Sequence, residues 1–300
     1  MIELSIIICT YNRSELLRYC LDSLLNQTVS QEKFEVIVVD NNSTDNTFLV
    51  AKKYESKFLH FNYTIEKKVG LSYARNTGYV NAHSNWIAYI DDDAKAAENY
   101  VKEALNTIKE YNFDVIGGKY LAWYLYGQKK WIGKQFGVFQ DILPTIGYAK
   151  TGYVPGGNMI IKKKALTKIG GFDINLGMKG NAIGYGEETF FQDKIRELGY
   201  KIGYNPNLIV YHLVGKHKLR LSWHLQSAYA YGRDNYKMWK QGSSNKTYVF
   251  KTILKSVARL TKLLWMSAIK KNYYWQNAYL DFLKPIYQAL GEYSEYKKSK

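Results

Sequence analysis

Leu4-Ser5-Ile6-Ile7-Ile8-Cys9-Thr10-Tyr11-Asn12-Arg13 opens the chain with an apolar run of strand length that stops at a polar turn. From Ser14 to Gln27 the spacing changes, and Leu16, Leu17, Cys20, Leu21, Leu24 and Leu25 recur at helical period. Phe34-Glu35-Val36-Ile37-Val38-Val39 is a second buried strand, closed by Asp40-Asn41-Asn42-Ser43. Ser43 or Thr44 is placed to cap a following helix, with Asp45 favourable in its first turn. The alternation continues with a strand near Leu59–Ile65, a helix from about Leu71 to Ala82, and a strand at Trp86–Ile90. A helix over Glu98–Tyr111 and a strand over Asp114–Tyr120 follow. Continuous apolar strands alternating with helices predict an α/β fold, with a parallel sheet covered on both faces. Ligands of such sheets bind beyond the carboxyl ends of the strands. Thr10–Arg13, Asp40–Asn42 and Asp91–Asp93 all fall there.

From about residue 121 the pattern loosens into long aromatic loops, with Trp123, Tyr124, Tyr126, Trp131, Phe136 and Phe139 set among glycines and lysines. Order returns at Val154-Pro155-Gly156-Gly157-Asn158-Met159-Ile160-Ile161, a turn feeding a short strand. Glu187–Leu198 is expected to be helical, Ile202–Asn205 and Leu208–Tyr211 extended, and the chain beyond Leu219 mostly helical.

With 300 residues, 46% hydrophobic and 23% charged, the chain can bury a substantial core, which excludes general disorder. Two cysteines, Cys9 and Cys20, give neither a disulfide framework nor a zinc-finger spacing. The opening Met1–Ile6 carries an acid where an export signal carries basic residues, and no window of about 18 residues is charge-free. These features lead to the expectation of a cytoplasmic chain without a transmembrane helix. Charge is uneven: residues 201–300 hold 18 Lys/Arg against 4 Asp/Glu, which accounts for +14 of the net +16. A near-neutral body with a basic appendage is therefore expected to meet something anionic.

Three features could carry chemistry. Asp91-Asp92-Asp93 ends an apolar strand, and adjacent carboxylates repel unless a cation or hydrogen-bond donors compensate. Such hard oxygen ligands suit Mg²⁺ or Mn²⁺, although a solvated acidic turn would show the same residues. Glu187-Glu188 starts an amphipathic helix, where the helix dipole alone could account for two acids. Paired carboxylates can also raise one pKa and leave a general base. His212 ends an extended segment, as either a structural hydrogen-bonding residue or a ligand. Neither a Gly-x-x-x-x-Gly-Lys loop nor a Gly-x-Gly-x-x-Gly follows the first strand. A nucleotide diphosphate bound here would need a metal and basic side chains for neutralisation.

Together with Gly70-Leu71-Ser72-Tyr73-Ala74-Arg75-Asn76-Thr77-Gly78, Gly156-Gly157-Asn158, Ile169-Gly170-Gly171-Phe172-Asp173 and Gly186-Glu187-Glu188, these motifs form an ordered series over about residues 4–212. In this the chain resembles the family 2 glycosyltransferases, which use the nucleotide-sugar-binding α/β fold called GT-A. The resemblance implies inverting transfer from a nucleotide sugar, UDP-sugar favoured, to a hydroxyl of a glycan or lipid-linked acceptor, in glycan or polysaccharide assembly. It places Thr10, Tyr11, Asn12, Arg13 and Asn42 around the nucleotide, Asp40 on the base edge and Arg75 near the base or diphosphate. Asp91 or Asp92 would hold ribose and sugar hydroxyls, and Gly157 and Asn158 would lie under the donor sugar. The implied Mn²⁺ or Mg²⁺ ligands are Asp93, Asp91 and His212. Glu188 and Glu187 match the family's Glu-Asp pair, with Glu replacing Asp at the second position, which leaves open which acid is the base.

The resemblance divides the chain into a GT-A domain over 1–217, with a nucleotide half to about 120 and an acceptor half over 121–217, and a helical, basic, aromatic region over 218–300. Within that region Lys251, Lys255, Arg259 and Lys262 fall on one ridge of a helix over 251–270, with Ile253, Val257, Leu260 and Leu264 opposite. Such a helix either packs on the catalytic body or docks on an anionic membrane surface, as a peripheral protein of the cytoplasmic face of the inner membrane. Nucleic acid is excluded as the partner, because no nucleic-acid-binding motif accompanies the charge. Two other readings stay open. A sugar-nucleotide nucleotidyltransferase shares the fold but carries a Gly-rich, Arg-containing first loop, unlike Thr10–Arg13. A non-catalytic glycan- or membrane-binding protein is disfavoured by intact Asp91–Asp93 and Glu187-Glu188.

Overall fold

The structure is a computed structural model that describes residues 1–139, 141–239 and 244–300. Its first unit comprises Met1–Trp123, Gly137–Asn175 and Glu187–Leu213. The strands are β1 (Leu4–Thr10), β2 (Phe34–Asp40), β3 (Phe61–Ile65), β4 (Trp86–Ile90), β5 (Ala94–Ala96), β6 (Val115–Trp123), β7 (Gly147–Tyr148), β8 (Asn158–Lys162) and β9 (Ile202–Leu213). Helices α1 (Ser14–Leu25), α2 (Thr47–Lys52), α3 (Leu71–Asn81), α4 (Tyr100–Glu110), α5 (Lys163–Ile169) and α6 (Glu187–Glu197) complete it.

The described strands form one sheet in the order β3-β2-β1-β4-β8-β6-β9-β5, with β7 on β9. Parallel pairing holds from β3 to β4, as the strand–helix alternation requires. It then breaks: β8 is antiparallel to both β4 and β6, and β5 is antiparallel to β9. The expected parallel sheet is thus found over β3-β2-β1-β4 and continues as a mixed one, because the strand after the aromatic loops returns beside β4 without a crossover helix.

Coverage of both faces follows from the two-residue period of buried strands. Ile6, Ile8, Val36, Val38, Ala88 and Ile90 face one core with Leu17, Cys20, Leu21 and Leu24 of α1. Ile7, Ile37, Val39, Ile87 and Tyr89 face the other with Ala74 of α3, Leu166 of α5 and Phe191 of α6. Each valine, leucine, isoleucine or phenylalanine among them, once fully buried, contributes about 1.5–3 kcal/mol relative to exposure.

Ile202–Asn205 and Leu208–Tyr211, expected as separate segments, form a single strand, β9. Its register against β6 shifts between Gly118 and Lys119, whose partners are Asn205 and Ile209, which absorbs Pro206-Asn207-Leu208 as an irregularity. Asn158 fills the break: its fully buried amide donates to the carbonyls of Lys119 and Leu208, both at 2.9 Å.

The second unit comprises Tyr124–Phe136, Leu176–Gly186 and Val214–Lys300. It is built on α7 (Leu221–Trp239), α8 (Lys246–Ile269) and α9 (Trp275–Lys298). Backbones of α7 and α9 touch at two glycines: a Cβ on Gly232 would meet the Gln288 carbonyl oxygen at 2.0 Å, and one on Gly291 the Tyr229 carbonyl oxygen at 2.0 Å. None of the described helices is long and apolar enough to cross a membrane.

His224 of α7 is buried, with the rings of Trp131, Phe136 and Trp223 against it. Burial, with a smaller push from Lys284, lowers its pKa to about 4. The unfolded chain takes up that proton near pH 6.5, so protonation favours unfolding as pH falls. This contribution is complete above about pH 6.5 and is lost down to about pH 4, a span worth up to about 3 kcal/mol. His224→Gln, which cannot titrate, should therefore show a shallower fall in melting temperature than the wild type across that range. Parallel curves for the two proteins would show that His224 is not the titrating group.

Candidate active site

The site forms where β1, β2 and β4 end in the first unit. Thr10 and Asp40 are register partners at the ends of β1 and β2, and the two turns beyond them are stitched together. The Asn12 N–H donates to Ser43 Oγ at 2.9 Å, and the Thr44 N–H donates to Asn12 Oδ1 at 2.7 Å. Asn12 (φ 53°) and Asn42 (φ 66°) take left-handed conformations that asparagine tolerates. Tyr11 is half-buried in the first turn. Ser43 and Thr44 are thus used by the opposite turn and do not cap α2, which begins at Thr47. Asp45 lies ahead of α2 and serves two helix starts: Oδ2 accepts the Ser14 N–H of α1 and Oδ1 the Thr47 N–H of α2, each at 3.0 Å.

Asp40 is buried, with the Ser43 N–H donating to Oδ1 (2.7 Å) and the Tyr63 hydroxyl to Oδ2 (2.5 Å). Asn41 beside it donates to the carbonyls of Glu66 and Lys68 and accepts from the Gly70 N–H. These bonds draw in the segment leading to α3, which carries Arg75.

The three aspartates part company. Asp92 is buried and pairs with Arg13 at 3.0 Å, while Arg13 lies 3.3 Å from Asp93. Burial, with the adjacent Asp93 charge, raises the Asp92 carboxyl to about 6 against the pull of Arg13. Asp91 accepts the Tyr120 hydroxyl at 2.7 Å, and Asp93 lies 3.2 Å from His212 Nε2. Antiparallel pairing of β5 with β9 sets His212 opposite Ala94, so Asp93 and His212, 119 residues apart in the chain, come into contact. Tyr120 stacks on His212 with ring centres 4.7 Å apart. Ligand atoms of Asp91, Asp93 and His212 all lie within 4.8 Å of one another. Two carboxylates and an imidazole fit a divalent cation such as Mn²⁺ or Mg²⁺.

Arg75 joins this cluster to the Glu pair. The guanidinium is buried, 2.7 Å from Glu187 Oε1 and 3.8 Å from Asp91, with its charge over the rings of Tyr89 and Phe172. Burial, with the charge of Glu188, raises the Glu187 carboxyl, and Arg75 opposes that rise. Glu188 is half-buried. Gly156 and Gly157 pass close to these groups, where a side chain would be tight at Gly156 and would clash at Gly157. A Cβ at Gly157 would meet Asp91 Oδ2 at 2.0 Å, and one at Gly156 would meet Arg75 Nη2 at 3.0 Å and Glu188 Cβ at 3.2 Å.

Asp91, Asp93, His212, Arg75, Glu187, Glu188 and Gly157 are therefore brought together, joined through Arg13 to Asp92 and the stitched turns. Asn158 spends its amide donors at the β6–β9 break. Sequence reasoning missed Tyr120, Tyr63 and the anchoring role of Asn41. Tyr120 was the expected last residue of its strand, and only the longer β6, running to Trp123 beside β9, sets it against His212.

Residues 5–170, more than half of the chain, match the family described as Glycosyl transferase family 2. Among curated relatives, the glycosyltransferase AglE of Haloferax volcanii is 24% identical over 209 residues, 69% of this chain and 66% of that protein. Glycosyltransferase GlyA of Streptococcus pneumoniae is 32% identical over 120 residues, 40% of this chain and 17% of that protein. The poly(ribitol-phosphate) beta-N-acetylglucosaminyltransferase TarP of Staphylococcus aureus is 34% identical over 122 residues, 40% of this chain and 37% of that protein. The chain thus spans less than two thirds of each of these relatives. Among solved structures, the mannosyltransferase PcManGT of Pyrobaculum calidifontis, in complex with GDP-Man and Mn²⁺, superposes with a TM-score of 0.67 at 16% identity, covering 99% of this chain and 88% of that one. S. aureus TarS 1–349 in complex with UDP-GlcNAc gives 0.60 at 16% identity, covering 100% and 93%. They share the expected GT-A type of α/β fold with a helical C-terminal part. With its motifs gathered at the strand ends of that sheet, the chain belongs to glycosyltransferase family 2.

Proposed function

We propose that this chain is a metal-dependent, inverting glycosyltransferase that moves a sugar from a nucleotide sugar to a hydroxyl of a glycan or lipid-linked acceptor. The observation that carries this reading is the convergence of Asp91, Asp93 and His212 with the Arg75–Glu187 pair and Glu188. Asp40 is acceptor-only when ionised, so it suits a base edge that offers an imino N–H, as uracil and guanine do. UDP-sugar is the favoured donor because Asp40 matches the acid of uridine-nucleotide-using relatives. UDP-GlcNAc in TarS and GDP-Man in PcManGT support a nucleoside diphosphate sugar.

Asp91, Asp93 and His212 would hold Mn²⁺ or Mg²⁺, which when bound supplies Lewis-acid stabilisation of charge on the departing diphosphate. The acceptor oxygen attacks the anomeric carbon as the bond to the phosphate oxygen breaks on the opposite face, which inverts the centre. Glu188, the more accessible acid, takes the acceptor's proton. Glu187 is held by Arg75 and orients the pair.

Two measurements test this reading. Binding of UDP, followed by thermal shift, should require Mn²⁺ or Mg²⁺ and should fail in Asp93→Ala. Binding by Asp93→Ala as tight as the wild type's, with Mn²⁺ present, would overturn the metal assignment. Glu188→Gln should keep donor binding while slowing transfer by roughly two to four orders of magnitude, the scale of a lost general base. Glu187→Gln should slow transfer less, and a larger loss there would reverse the two roles.

A further inference from the structure

Helix α8 presents three faces. Ser256 is its buried residue, and Ile253 and Leu260, on the same side, are half-buried where α8 packs with α9. The expected apolar face of Ile253, Val257, Leu260 and Leu264 is therefore divided, because Val257 and Leu264 turn outward. Phe250, Leu254, Val257, Leu264, Trp265 and Ile269 are each between 52% and 63% exposed. Steps of four and three residues through Phe250, Leu254, Val257, Thr261, Leu264 and Ala268 make this one continuous stripe. Lys251, Lys255, Arg259 and Lys262, all exposed, run along its other flank.

We propose that this stripe and ridge together dock α8 flat on an anionic lipid bilayer, apolar side chains entering the headgroup boundary and lysines meeting lipid phosphates. Charge complementarity selects the occupant. Between residues 246 and 280 there are seven Lys/Arg and no Asp or Glu, so the surface matches an anionic sheet along its whole length. Trp265, and Trp275 just beyond the helix (61% exposed), are amphipathic rings suited to that boundary. A second copy of the chain fits less well, since a two-fold contact on the stripe would bring two basic ridges together. An amphipathic helix with a basic flank lies in the interface plane and does not span it. Docking draws on the glycosyltransferase reading only for the acceptor it would bring within reach, and the lipid contact itself needs no substrate.

Co-sedimentation of the full chain with phosphatidylglycerol-rich and with pure phosphatidylcholine vesicles tests this, without sugar nucleotide. Binding to the anionic vesicles alone is expected, weakened by salt because exposed charges are screened over about 8 Å at physiological ionic strength. Lys255→Glu with Arg259→Glu should reduce the partition coefficient at least about tenfold. Leu254→Asp with Leu264→Asp should reduce it comparably, and all four sites are exposed, so circular dichroism and melting temperature should be unchanged. Absence of binding at low salt, equal binding to neutral vesicles, or binding indifferent to the stripe variants would each overturn docking. So would a dimer in solution that the stripe variants dissolve. UDP binding by the same variants should match the wild type, so failure of docking and failure of the functional reading are told apart.

Discussion

Arg75 sits among Glu187, Asp91 and Glu188, with almost no solvent to share the charge. Removing a guanidinium from water is costly, and its neighbours offset that cost: Glu187, itself a buried acid in need of a cation, at 2.7 Å, and the partly exposed Asp91 and Glu188 farther off. The dependence is mutual: burial and the charge of Glu188 already raise the Glu187 carboxyl, without Arg75 they would raise it further, and Asp91 would lose a stabilising charge. Because Arg75 lies on α3, Asp91 beyond β4 and Glu187 on α6, one side chain fixes the relative position of three elements. Arg13 performs the same service for Asp92 and Asp93 from the turn after β1. Three consecutive aspartates are thereby tolerated in a largely buried place.

The two acids that open α6 illustrate how the fold gives identical side chains different environments. Glu187 faces inward onto Arg75, and Glu188 is left half-buried beside Gly156. A proton acceptor must be reachable by the group that gives up the proton, and it is on this difference in access that the proposed role of Glu188 rests.

Much of this was legible in the sequence. Strands β1, β2 and β4 are largely continuous apolar runs with polar stops, so their residue types place the turns at the strand ends where the site forms. Asp91–Asp93, Glu187-Glu188 and His212 stood out because charged or titratable groups beside apolar strands need compensation. What escaped notice depended on pairing across long separations. Reversal of β8, continuity of β9 past Pro206 and contact of Tyr120 with His212 are set by which strands become neighbours. Local periodicity says nothing about that. Ser43 and Thr44 fitted the local signal for a helix cap, but Asn12, 31 and 32 residues upstream, claims them. Periodicity showed α8 to be amphipathic, yet only the packed helices reveal which part of its apolar surface α9 covers.

The stitched turns after β1 and β2 bear on the thermodynamics of ligand capture. Loops that are loose in the free protein must be ordered when a ligand arrives, and the lost entropy is subtracted from affinity. Here Asn12, Ser43, Thr44 and Asp45 already satisfy one another and anchor the first turns of α1 and α2. The turns are preorganised, so a ligand bound against them would leave their backbone entropy nearly unchanged.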